Sequence, residues 1–153
     1  MGNVNMHVER EFDYPGDRVW GILGNFADIG WCQGIERVEV HGSGPGMARH
    51  IHMPGLDAPI EEVLESLDAA TRTFSYSIPR GNPMPVTNYL ATVRVEDLGG
   101  ARCRVHWSAT GGATGMSGEQ AAEILGGVYG QMLGWVADAL AKEFEKGTLV
   151  KEE

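Results

Sequence analysis

Cysteine is scarce in this chain: only Cys32 and Cys103 occur among 153 residues, in no metal-ligand spacing. That argues against a disulfide framework and fits a reduced, cytoplasmic protein. Positive charge is scarce as well. Twelve Lys and Arg against 21 Asp and Glu give a formal net charge of −9, without the basic footprint that nucleic-acid binding needs. No apolar run approaches the roughly 20 residues of a membrane span. The opening Met1-Gly2-Asn3-Val4-Asn5 lacks the charge and the apolar stretch of a signal peptide. Met6 stands where a myristoylation signal wants Ser or Thr. With 7 prolines and 42% hydrophobic residues, the chain is not of low complexity.

Glycine, by contrast, is abundant, at 22 residues. It follows no triplet repeat, which excludes collagen. Ten of these glycines, among them Gly42, Gly44, Gly46, Gly55, Gly81 and Gly111, fall in turns or loops between periodic segments. Gly126, Gly127, Gly130 and Gly134 instead lie within a helical pattern, where each costs about 1 kcal/mol relative to Ala. On a helical wheel they sit away from the apolar face. Gly126, Gly130 and Gly134 are thus expected to form a small-residue stripe turned from the sheet, suited to a homodimer contact.

The periodic segments define an α+β chain. Val4, Met6, Val8 and Phe12 share one parity and predict a half-buried strand, closed by Asp13-Tyr14-Pro15. Val19, Ile22, Leu23 and Phe26 then recur at helical spacing, which predicts a short helix over residues 16–25 and a second helical turn over 27–31. Six strand-like segments follow: 35–40, 47–53, 60–67, 73–78, 87–95 and 102–110. In the last, Cys103, Val105, Trp107 and Ala109 alternate with Arg102, Arg104, His106 and Ser108, the mark of an antiparallel sheet with one wet face. Ser117-Gly118-Glu119-Gln120 has the form of a capping box and opens the longest helix. That helix presents Leu125, Val128, Tyr129, Met132, Val136, Ala139 and Leu140 on one face, and is expected to end before Gly147. A single domain over 1–146 with a charged tail over 147–153 results.

This order resembles the helix-grip superfamily, which includes START lipid-binding domains, the birch pollen allergen, bacterial polyketide cyclase/dehydratases and plant abscisic-acid receptors. The likeness rests on Tyr14-Pro15…Val19-Trp20…Phe26…Trp31, Gly46-Met47-Ala48-Arg49, Ile60-Glu61-Glu62-Val63-Leu64, Pro85-Val86-Thr87-Asn88-Tyr89 and Val105-His106-Trp107-Ser108. It is nearest to the bacterial branch similar to the receptors and the polyketide cyclase/dehydratase group. The resemblance implies a curved seven-stranded antiparallel sheet wrapped around a long C-terminal helix, with two short helices after the first strand. It also implies a deep cavity between sheet and helix that takes a hydrophobic small molecule.

On the assigned parities that cavity is lined by Ile51, Met53, Leu64, Tyr76, Ile78, Trp107, Leu125, Val128, Tyr129 and Met132. A filled core would need the same residues. Arg49 and Glu62 also fall on the inward parity, and burial of either charge alone is costly, so the two should pair or meet a polar ligand. Glu61 replaces Glu62 if the register slips by one. By resemblance, Glu62 matches an inward glutamate of the receptors' ligand network, and an inward Arg such as Arg49 polarises a carbonyl in the cyclases. Arg49, Glu62 and Tyr89, with Tyr76 or Tyr129 as the alternative tyrosine, are therefore the candidate catalytic residues for acid/base chemistry on a carbonyl compound, a non-catalytic carrier or sensor being the alternative. Trp31-Cys32-Gln33-Gly34 carries no lysine where the receptors have one, which argues against capture of a carboxylate. The receptors' gate and latch loops correspond to Met53–Pro59 and Arg80–Pro85. His50 and His52 form an H-x-H pair of outward parity, read as surface histidines, so no metal and no cofactor are expected.

Overall fold

The computed structural model describes residues 2–152, with side chains described for 2–143. Strand β1 (Asn3–Phe12) leads into helix α1 (Gly16–Leu23). Six strands follow: β2 (Arg37–His41), β3 (Ala48–His52), β4 (Ile60–Asp68), β5 (Thr73–Arg80), β6 (Val86–Gly99) and β7 (Arg102–Ala113). Helix α2 (Gly118–Glu152) closes the chain. The strands form one antiparallel sheet in the order β1-β7-β6-β5-β4-β3-β2, so the first strand returns to pair with the last. No described helix is long and apolar enough to cross a membrane.

Period-two alternation places the core. In β7, Cys103, Val105, Trp107 and Ala109 are buried while their neighbours are not, and Tyr89, Ala91, Val93 and Val95 repeat the pattern in β6. A bulge interrupts β6: the register with β7 shifts between Thr87 and Leu90, and Asn88 adopts φ 53°. The extra residue lets both Val86 and Tyr89 point inward, three positions apart. Gly111 faces the bulge so closely that any Cβ would collide with Val86 and the Thr87 carbonyl.

The capping box forms as expected. Ser117 Oγ accepts from the Gln120 amide at 3.1 Å, and Gln120 Oε1 accepts from the Ser117 amide at 3.0 Å. From there Ala121, Leu125, Tyr129, Leu133, Val136 and Leu140 are buried along one side of α2. Val128, Met132 and Ala139, expected on the same face, are half-buried beside it.

Three local expectations need correction. The segment 27–31 is not a second helix. Isolated turns close through Asp28 N to Asn25 O and Cys32 N to Ile29 O, and the Asp28 side chain accepts from the Gly30 amide, a local bond that competes with helix. Helix α2 extends beyond Gly147 to Glu152, since Lys and Glu are good helix formers and one glycine costs only about 1 kcal/mol; the side chains of the stretch read as a tail, 147–153, lie outside the described residues. Finally, the glycine stripe is not turned from the sheet. A Cβ at Gly126 would meet Val8 and one at Gly134 would meet Arg10, both on β1, and only Gly130 faces open space. The stripe lets α2 approach the edge strand, and leaves Gly130 alone for contact with another copy.

Candidate ligand site

Arg49 and Glu62 stand opposite each other on β3 and β4. Both are buried, at 5% and 9% exposure. The guanidinium places Nε and Nη2 each at 2.7 Å from a single carboxylate oxygen, Glu62 Oε1. Its Nη1 donates to the Phe26 carbonyl at 3.0 Å, and the whole group stacks over the Phe26 ring at 3.8 Å. The β3–β4 register also decides between the adjacent glutamates. Glu61 turns outward and pairs with His50 at 3.2 Å.

A cavity of about 280 Å³ lies against this pair. Ile51 and Met53 from β3 and beyond, Ile60 and Glu62 from β4, and Ile78 from β5 form its floor. Val128, Tyr129, Gln131, Met132 and Trp135 of α2 form its roof, and Cys32, Gln33, Ile35, Pro83 and Met84 complete the wall. The volume lies just below the range of about 300–1,000 Å³ for ligand pockets. Glu62 is the single charged residue of this lining. Its Oε2 takes no hydrogen bond from the described residues, so one carboxylate acceptor is left unengaged beside an otherwise mostly apolar space.

Six of the expected lining residues thus meet the cavity: Ile51, Met53, Ile78, Val128, Tyr129 and Met132. Leu64, Tyr76, Trp107 and Leu125 are packed behind it in the core, at 0–2% exposure. Of the three candidate catalytic residues, Glu62 is on the wall, whereas Arg49 and Tyr89 are one layer back. Tyr89 reaches the wall only through Tyr129, whose hydroxyl bonds to those of both Tyr89 and Tyr76, the latter at 3.1 Å. Burial pushes all three phenols well above the ordinary tyrosine range, so they stay protonated as donors. Trp107 stacks on Tyr129 at 4.6 Å and fixes its ring.

Sequence reasoning passed over Ile60, which shares the parity of Glu62. It also passed over Gln131 and Trp135, which lie one helical step from Val128 and Met132. Gln33 and Ile35 come from an irregular segment with no periodicity to read. Cys32 does reach the cavity, yet burial and the nearby Glu62 push its thiol up to about 11, the opposite of an activated nucleophile. His50 and His52 are split between partners, His50 with Glu61 and His52 with Glu39 at 2.6 Å.

With this geometry in view, a family model described as polyketide cyclase/dehydrase and lipid transport matches residues 3–145. The chain belongs to this family. No curated protein matches. Among solved structures, a protein of Bacillus thuringiensis is 29% identical with a TM-score of 0.78, covering 89% of this chain and 98% of its own. The protein XoxI of Bacillus cereus is also 29% identical, with a TM-score of 0.76 over 89% and 94% of the two chains. Norcoclaurine synthase of Thalictrum flavum shares the fold at 19% identity, with a TM-score of 0.71 and coverage of 90% and 93%. The polyketide cyclase/dehydrase assignment and these neighbours agree with the helix-grip fold expected from the sequence.

Proposed function

We propose that the cavity binds a compact hydrophobic carbonyl compound and that the protein acts on it as a polyketide cyclase/dehydratase-like enzyme. The supporting observation is the asymmetry of Glu62 on the cavity wall: Arg49 engages Oε1, and Oε2 has no hydrogen-bond partner among the described residues. In this reading Oε2 takes a proton from the carbon next to the substrate carbonyl, and the C–H electron pair moves into an enolate. The Tyr129 hydroxyl donates to the enolate oxygen, and Tyr76 and Tyr89 orient that hydroxyl. Arg49 is a positioning residue, because its donors are already directed at Glu62 and Phe26. Two free cysteines suit a reducing, cytoplasmic setting.

A carrier or sensor is the second reading, favoured by the same saturation of Arg49, which leaves little polar machinery for turnover. The test is Glu62→Gln, examined with one- and two-ring phenolic ketones and aldehydes by quenching of tryptophan fluorescence, to which Trp135 in the cavity contributes, and by product analysis. The enzyme reading expects turnover to fall by roughly 10²–10⁴-fold with affinity little changed. The carrier reading expects no turnover in either protein and weaker binding in the variant. A folded variant with unaltered affinity and turnover refutes the site.

A further inference from the structure

On the outer face of the sheet, far from the cavity lining, three side chains of β1 and β7 converge. Asn3–Phe12 pairs antiparallel with Arg102–Ala113, which sets His7 against Ser108 and Glu9 against His106. His106 Nδ1 lies 3.4 Å from His7 Nε2 and 3.3 Å from Glu9 Oε2, and His7 Nε2 lies 3.5 Å from Glu9 Oε2. These are two imidazole nitrogens and one carboxylate oxygen at the corners of a nearly equilateral triangle.

The size of the triangle carries the argument. A tetrahedral zinc ion bound at about 2.0–2.2 Å by His nitrogens and carboxylate oxygens requires ligand atoms about 3.3–3.6 Å apart. All three edges fall in that interval. The orientation of His106 fits as well: its other nitrogen, Nε2, lies 2.8 Å from Glu96 Oε1 on β6. An Nε2–H donated to Glu96 leaves the Nδ1 lone pair directed into the triangle, the arrangement by which a carboxylate behind a histidine fixes its tautomer for metal binding. Two cations are near: Arg94 stands opposite His106 on β6, and Arg104 is held by Glu11 at 2.7 Å and by Glu96 at 3.3 Å, so its charge is directed at carboxylates.

We infer that His7, Glu9 and His106 form a surface site for a divalent transition metal of the zinc type, with the fourth position open to water. Two nitrogen donors select zinc-like ions over Ca²⁺ and Mg²⁺, which prefer all-oxygen sets. The bound ion ties the edge strand β1 to β7, linking residues 99 positions apart. The other histidine cluster does not offer this. His50 pairs with Glu61, and His52 with Glu39, each as a separate couple.

The test uses the untagged full chain, Zn²⁺ titrated against a chromophoric chelator, and Co²⁺ as a spectroscopic probe. One Zn²⁺ per chain is expected, with the intense visible absorption of tetrahedral Co²⁺ and no displacement by excess Mg²⁺. His7→Gln and His106→Gln should each weaken binding by at least tenfold, and Glu96→Gln by roughly 10–100-fold, the range seen for residues behind a metal ligand. Zn²⁺ at a fixed concentration should raise the melting temperature of the wild type more than that of His7→Gln. His7 is half-exposed, so this variant keeps the fold even if His106→Gln does not. Absence of stoichiometric Zn²⁺ binding overturns the site, as does binding unchanged in His7→Gln or lost instead in His50→Gln.

Discussion

Arg49 directs two nitrogens at one oxygen of Glu62, each at 2.7 Å, instead of spanning both oxygens. The pair sits inside the sheet, so each charge depends on the other. Removing one partner from a buried pair costs about 3–5 kcal/mol, whereas replacing both with apolar residues is often neutral. Arg49→Met should therefore destabilise the protein strongly, and Arg49→Met combined with Glu62→Leu should recover most of the loss. Urea unfolding of the two single variants and the double variant measures this; additive losses would contradict a coupled pair.

The tyrosine relay gives a second prediction. Tyr129 joins Tyr76 and Tyr89 through its hydroxyl, and its ring is held by Trp107. Tyr129→Phe keeps the stacking but strips two buried hydroxyls of a partner, at a cost of about 1–3 kcal/mol. Tyr89→Phe should cost less, because Tyr76 still bonds Tyr129. Thermal unfolding ranks the two variants, and equal losses would argue against Tyr129 as the hub.

Much of this architecture was readable from periodicity. The strict alternation of β7 and the capping box at Ser117 each have a single physical explanation, and both recur in the structure. Parity and the cost of burying a lone charge leave Arg49 and Glu62 either to pair or to meet a polar ligand, and the structure shows the pair. What was not readable depends on events that periodicity does not encode. The bulge at Asn88 moves Val86 and Tyr89 to one face, and nothing in the alternation marks the extra residue. Asp28 caps a turn where helical spacing suggested a helix. His7 and His106 meet only because the first strand pairs with the last, and no local spacing brings them together. The helix glycines are hidden for a related reason: a wheel shows which face is small, but not that β1 passes beneath it.

The cavity can be closed without touching the core. Met132 lines it from a half-buried position on α2, beside but not within the buried stripe of Leu125, Tyr129, Leu133 and Val136. Met132→Trp should narrow the about 280 Å³ space and weaken ligand binding, with little loss of stability. Leu125→Ala acts oppositely. It empties a site at 0% exposure and should cost about 2–5 kcal/mol while leaving the cavity wall in place. Fluorescence titration and chemical unfolding separate the two effects, and ligand binding undiminished in Met132→Trp would place the ligand elsewhere.

Alkaline pH should weaken the fold and expose the cavity thiol. Burial pushes Cys32 and Cys103 from an ordinary value of 9.0 up to about 11. Between those limits the unfolded chain releases the two thiol protons while the native protein keeps them. The native state therefore binds more protons, and stability must fall as pH rises from 9 to 11. The same shift governs reactivity at Cys32, which borders the cavity. Its thiolate increases about tenfold per pH unit until near 11, so alkylation should keep accelerating well past the point where an ordinary cysteine levels off. Mass spectrometry of iodoacetamide-treated protein across this range follows the rate at Cys32 directly. A ligand in the cavity should slow it, and a plateau near pH 9 would mean that Cys32 is not shielded by the wall it shares with Glu62.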